Sequence, residues 1–148
     1  MMKVYLDNCS YNRPFDDQSQ IRIYLETQAK LHIQKLICDG KLFLAFSYIS
    51  RYENGNSPYS CNKTMIEKFF ENAVSYVDIN TADIIEIKAN EIVKYGVKSK
   101  DALHIACAIE AKCDFFITTD DGILKKYKSD DIKVCSPVEF INIWEELL

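Results

Sequence analysis

The chain is poor in residues that interrupt regular structure, with 4 glycines and 3 prolines in 148 positions. With 48% hydrophobic and 27% charged residues, that scarcity excludes a low-complexity or disordered chain. Histidine is scarcer still, at His32 and His104 only. The six cysteines, at 9, 38, 61, 107, 113 and 135, form no C-x-x-C pair, so a zinc site lacks its usual ligands. No run approaches the ~20 apolar residues of a membrane span. There is no basic excess either: 18 Lys and Arg face 22 Asp and Glu, for a net charge of −4. That argues against a sequence-independent coat on nucleic acid, but not against an acidic site with basic rims.

The opening "MMKVYLDNCS" reaches an aspartate after three apolar residues and is no signal peptide. Cys107 lies in an apolar helical run, where a reduced thiol packs as a small hydrophobe. A reduced, soluble, cytoplasmic protein without a membrane partner is the expectation. The length suits one domain spanning 1–148.

What is present alternates between two periodicities. "KVYL" reads as a short buried strand ending at Asp7, followed by a loop with Pro14. A helix is expected from about Asp17 to Cys38, with Ile21, Leu25, Ala29, Ile33, Leu36 and His32 on its apolar stripe. "KLFLAF" is a strand buried on both faces, and Ser47 after it suits the N-cap of a helix carrying Glu53. A helix over 62–74, a strand "SYVDI", and a helix "TADIIEIKANEIVKYG" closed by Gly96 come next. Ser99 is the expected cap of a helix reaching Lys112; "DFFIT" and "IKVCS" are the last strands. The final helix starts at Ser136–Pro137 with Glu139 completing a capping box, and Phe140, Ile141, Trp144 and Leu148 form its buried stripe. The alternation predicts an α/β fold, a three-layer α/β/α sandwich around a parallel sheet of about five strands.

Ligands of such sheets gather outside the carboxyl ends of the strands. Asp7 ends the first strand and Asp120 the fourth, while Glu53 and Asp101 lie in helices next to these ends. Each alone has an ordinary explanation: Asp101 in a first helical turn complements the dipole, and Asp120 and Asp121 suit a turn before "GILKK". Together they pose an electrostatic problem. Two unit charges 4 Å apart repel by about 4 kcal/mol at an effective dielectric of 20. Carboxylates crowded in one cleft therefore take up protons or share a cation. Oxygen-only donors select a hard ion, Mg²⁺ or Mn²⁺.

The segments "VYLDN", "SYISRYE" and "KDALHIACAIEAKCDFFITTDD" resemble the PIN-domain nucleases. Those proteins share an acid after the first strand, a glutamate six residues beyond a serine, a D-A-L-x-x-A helix and a T-x-D after the fourth strand. The resemblance runs along essentially the whole chain. It implies a PIN-like fold, an acidic metal-binding and catalytic set of Asp7, Glu53, Asp101 and Asp120, and Asp121 as an extra metal ligand. The implied activity is Mg²⁺- or Mn²⁺-dependent endoribonuclease hydrolysis of RNA, leaving 5′-phosphate. One departure is local: Asp7-Asn8-Cys9 stands where many relatives have Asp-Thr-Asn or Asp-Ser-Asn, so Asn8 or Ser10 must replace the missing hydroxyl.

Lys94, Lys98 and Lys100 beside Asp101, and Lys125, Lys126 and Lys128 beyond Asp120, suit phosphate contacts. Thr118 and Thr119 are candidate hydrogen-bond donors, and His104 reads as a histidine at the core edge. The toxin branch of the family implies an antitoxin protein in the cleft. A homodimer through "FINIWEELL" or the first long helix is a further expectation. A dehalogenase-type phosphatase needs a second carboxylate two residues after the first, where Cys9 stands. The remaining rival is a PIN-like module that binds RNA or protein without cleaving.

Overall fold

The computed structural model describes residues 2–148. Lys3–Leu6 form β1, followed at once by a short helix, α1 (Asn8–Asn12), and a 3₁₀ turn at Arg13–Phe15. The long α2 (Ile21–Cys38) leads to β2 (Phe43–Ser47), α3 (Tyr48–Gly55) and α4 (Ser60–Phe69). Next come β3 (Ser75–Val77), α5 (Ala82–Ile92), α6 (Ser99–Glu110) and β4 (Phe115–Ile117). The chain ends with α7 (Asp121–Lys126), β5 (Lys133–Cys135) and α8 (Pro137–Leu147).

The five strands form one parallel sheet in the order β3-β2-β1-β4-β5, with helices on both faces. The expected α/β/α sandwich is therefore observed. Alternation along the strands fills both layers. Val4, Leu6, Leu44, Phe46, Phe115 and Ile117 join the layer under α2, α4 and α8. Tyr5, Ala45 and Phe116 face the other way, into the layer of α5 and α6. Apolar residues at successive positions of the central strands, as in Val4–Leu6, Phe43–Phe46 and Phe115–Ile117, are what two covered faces require.

Phe140 of α8 is fully buried and meets Phe115 edge to face, ring centroids 5.2 Å apart. Phe140→Ala is expected to cost about 3–5 kcal/mol, lost transfer energy plus a cavity, measured by urea unfolding. Gly96 closes the helical segment after α5 with φ 95°, as expected of a residue free of Cβ strain.

Several local expectations are corrected. The loop after β1 is instead helical, because the Asp7 side chain caps α1 at Asn8 N. This insertion covers the start of α2 and changes which residues face inward. Ile21 and Leu25 are exposed, as is His32, whereas Glu26 and Lys30 are buried. Arg13 of the 3₁₀ turn pairs with Glu26 at 3.2 Å. The Lys30 ammonium donates to Gln34 and lies over the Tyr11 and Phe69 rings. Burial pulls its pKa down to about 8. The helix expected over 62–74 occupies Ser60–Phe69 and gives way to a 3₁₀ turn at Phe70–Asn72. Ser99 is the first residue of α6 rather than its cap, which is Lys98. Ser136 caps α8 as expected, but Leu148 is exposed. All six cysteines are free thiols, and among the described residues no helix is long and apolar enough to cross a membrane.

Candidate metal centre

After β1, β2 and β3 the chain returns to the far side of β1 with β4. The carboxyl edge between β1 and β4 is thus the point where strand order reverses, the usual place of a ligand crevice in open α/β sheets. Leu6 pairs with Ile117, so the residues leaving these two strands emerge side by side. Asp7 is among them. Its Oδ1 accepts from Asn8 N at 2.8 Å and its Oδ2 from the Thr118 hydroxyl at 2.9 Å.

The missing hydroxyl is supplied neither by the Asn8 side chain nor by Ser10, which is buried and donates to the Ile117 carbonyl. Thr118 supplies it from the neighbouring strand, and the Cys9 thiol adds a weaker bond to Asp7 Oδ2 at 3.4 Å. Burial, then the Asp7 charge, push the Cys9 thiol up to about 11, so it stays a neutral donor. Thr118 also accepts from Asp120 N, tying the two aspartates through one side chain. Asp120 caps α7, its Oδ1 accepting from Gly122 N and Ile123 N. Its Oδ2 has no protein partner among the described residues.

Glu53 comes from α3, which starts at a reciprocal Ser47–Ser50 capping box. The cap fixes the helix at the end of β2, and the second turn carries Glu53 to His104 of α6, with Glu53 Oε1 hydrogen-bonded to His104 Nε2. His104 Nδ1 meets the Tyr5 hydroxyl at 2.7 Å, which in turn touches Ser47 Oγ at 2.7 Å and Ser50 Oγ at 2.9 Å. A carboxylate only accepts, so Nε2 donates to Glu53; where Nδ1 accepts from the Tyr5 hydroxyl, the phenol oxygen takes a hydrogen from one serine or both, since Ser47 Oγ and Ser50 Oγ also meet at 3.3 Å. Burial raises the Tyr5 pKa well above the usual value, so the phenol keeps its proton. His104 Nε2 is also 4.0 Å from Asp7 Oδ1.

Asp101 stands one turn before His104, half buried and without a hydrogen-bond partner among the described residues. Partial burial, followed by the charges of Asp7 and Asp120, raises its pKa from the ordinary 3.8 to about 6; His104 opposes the shift and Glu53 adds to it. The four carboxylates from four segments therefore share one electrostatic field. Asp121 faces elsewhere: both its oxygens are held by Arg22, at 2.7 and 2.8 Å, which lowers its pKa. Of the lysines, Lys100 lies 3.8 Å from Glu53 Oε2, whereas Lys94 pairs with Glu91.

A carboxyl group whose folded pKa is raised stabilises the fold below its unfolded pKa and loses that contribution as pH rises through the folded one. Subtracting the melting profile of Asp101→Asn from that of the wild type is expected to reveal a loss confined to the range from 3.8 to about 6. Thermal melts in a metal-free buffer series measure it.

The donor chemistry is that of a hard divalent ion, since oxygens dominate, and Asp101 is raised to about 6 by burial and then by neighbouring negative charge. Asp101 and Asp120 Oδ2 are the oxygens without protein partners among the described residues. Those same residues contain no group of three or more Asp, Glu, His or Cys side chains placed to hold a metal ion. The arrangement is an open acidic crevice in which His104 occupies Glu53.

No family model and no curated protein matches the chain. Among solved structures it is similar to FitAcB from Neisseria gonorrhoeae, with a TM-score of 0.56 at 16% identity, over 90% of this chain and 97% of that one. That likeness establishes the fold, a three-layer α/β/α sandwich. The sheet and its crevice define an α/β protein with an acidic carboxyl edge.

Proposed function

We propose that the protein is a metal-dependent nuclease that hydrolyses RNA phosphodiester bonds. The observation that supports it best is the shared field of Asp7, Glu53, Asp101 and Asp120 at the edge where strand order reverses: burial first, and these charges second, raise Asp101 to about 6. Asp7, Asp101 and Asp120 would hold Mg²⁺ or Mn²⁺, with Glu53 acting directly or through water. The ion's contribution is to make water a nucleophile at neutral pH and to offset charge on the phosphate. The chain contributes position. Thr118 orients Asp7, the α7 cap orients Asp120, and His104 aims Glu53. Hydrolysis at the P–O3′ bond would leave the 5′-phosphate that the family resemblance implies.

An antitoxin segment with a basic side chain would meet the same carboxylates. Exposed Ile21, Tyr24 and Leu25 on α2 suit the expected homodimer. The decisive experiment incubates the purified chain with end-labelled single-stranded RNA in Mn²⁺, Mg²⁺ or EDTA. Cleavage with either ion, absent in EDTA and leaving 5′-phosphate ends, is expected. RNA binding without cleavage under any ion would replace the enzyme with a binding module.

A further inference from the structure

A cleft of about 800 Å³ opens beside Glu53 and Lys100, running between the α1–3₁₀ segment and the α3–α4 connection. Its size is that of a small-ligand site, roughly 300–1,000 Å³. Carboxamides outnumber carboxylates in its lining, where Glu53 and Asp16 are the two acids. Four asparagines line it, Asn8 and Asn12 on one wall and Asn56 and Asn62 on the other. Phe15 and Tyr59 supply aromatic rings that are 40% and 66% exposed. Lys100 is the only cationic side chain in the lining.

Phosphates are gripped mainly by arginine, lysine and backbone N–H groups, whereas carboxamides suit base edges. Asn12 Nδ2 donates to Asn8 Oδ1 at 3.2 Å, leaving Asn8 Nδ2 and Asn12 Oδ1 without protein partners among the described residues. One donor and one acceptor thus remain side by side. The carboxamides of Asn56 and Asn62 have no protein partner there either. Exposed rings beside free amides match unstacked bases, which stack on aromatics and hydrogen-bond along their edges. A paired base offers no free face to these rings.

We propose that this cleft is a base-binding subsite that takes one or two unpaired nucleotides next to the scissile phosphate. The assignment rests on the nuclease reading above, with Lys100 contacting the phosphate between the subsite and the acidic centre.

Uncharged nucleosides test the subsite without phosphate or metal. Titrating adenosine, guanosine, cytidine and uridine into ¹⁵N-labelled protein is expected to shift the Asn8, Asn56 and Asn62 side-chain amides and the Ser57–Tyr59 backbone, with one base preferred. Tyr59→Ala should abolish the response and weaken binding of a labelled single-stranded octanucleotide about 5–150-fold, the range of a lost base–aromatic stack. Asn62→Ala should alter which nucleoside is preferred. The Mn²⁺ cleavage assay runs alongside on wild-type protein. Cleavage without a nucleoside response overturns the subsite alone; a nucleoside response without cleavage upholds the subsite and overturns the nuclease reading. RNA affinity unchanged in both variants overturns the subsite and leaves the groove to a protein segment.

Discussion

Asp7→Asn is expected to lower Mn²⁺-dependent RNA cleavage at least a hundredfold while leaving the protein folded. Disturbing even the groups that orient metal ligands typically costs 10–100-fold, and Asp7 is placed as a ligand itself. Stability should change little, because asparagine is as good an N-cap as aspartate and can still accept from Asn8 N. A further consequence separates charge from structure. Asp7 is the nearest cause, after partial burial, of the raised Asp101 pKa, so its neutralisation should return Asp101 from about 6 towards 3.8. Carboxyl ¹³C titration of the metal-free variant measures that shift, and RNA cleavage kinetics measure the loss. Cleavage retained at the wild-type rate would remove Asp7 from the reaction. An Asp101 pKa left near 6 would show that burial and the remaining carboxylates, Asp120 and Glu53, hold it there without Asp7.

The sheet was legible because parallel strands covered on both faces carry apolar residues throughout, as in "KLFLAF" and "DFFIT". The Ser47 cap and the Gly96 stop were legible too, being local decisions of backbone chemistry. The inward face of α2 was not. Its Glu26 and Lys30 are buried only because the α1–3₁₀ insertion brings Arg13, Tyr11 and neighbouring rings over them. A helical pattern read in isolation assigns such residues to solvent. In the crevice, Asp101 lies within the field of Asp7, Asp120 and Glu53, whereas Asp121 is held by Arg22, 99 positions away. The supports were hidden for the same reason. Tyr5 looks like one more strand apolar, and nothing in "DALHIA" announces that its histidine joins residues from β1 and α3. A tyrosine in a buried central strand was the available signal, since a buried phenol needs a partner.

His104 is the side chain whose loss should cost the fold most per atom removed. It is 1% exposed and makes two bonds at once, to the Tyr5 hydroxyl and to the Glu53 carboxylate. His104→Ala would leave the buried phenol with its two serines alone and the mostly buried carboxylate with only the longer Lys100 contact. Breaking a buried polar pair by removing one member typically costs about 3–5 kcal/mol, the loss expected here. Two conservative variants divide the effect. A glutamine amide at 104 reaches towards the Nε2 position and can still donate to Glu53. An asparagine oxygen lies nearer Nδ1 and can still accept from Tyr5. Each should cost about 1–3 kcal/mol, the price of one unsatisfied group. If His104 aims Glu53, the glutamine variant should retain more cleavage than the asparagine variant at comparable stability, a split that a purely packing role would not produce. Tyr5→Phe supplies the last corner, because it removes the donor to Nδ1 and the acceptor for both serines. Urea unfolding of Tyr5→Phe, His104→Ala and the double variant should show non-additivity of 0.5–3 kcal/mol, as for groups in one network. Strict additivity would mean that the serine–tyrosine–histidine–glutamate chain does not act as a unit, and Glu53 would then owe its position to α3 alone.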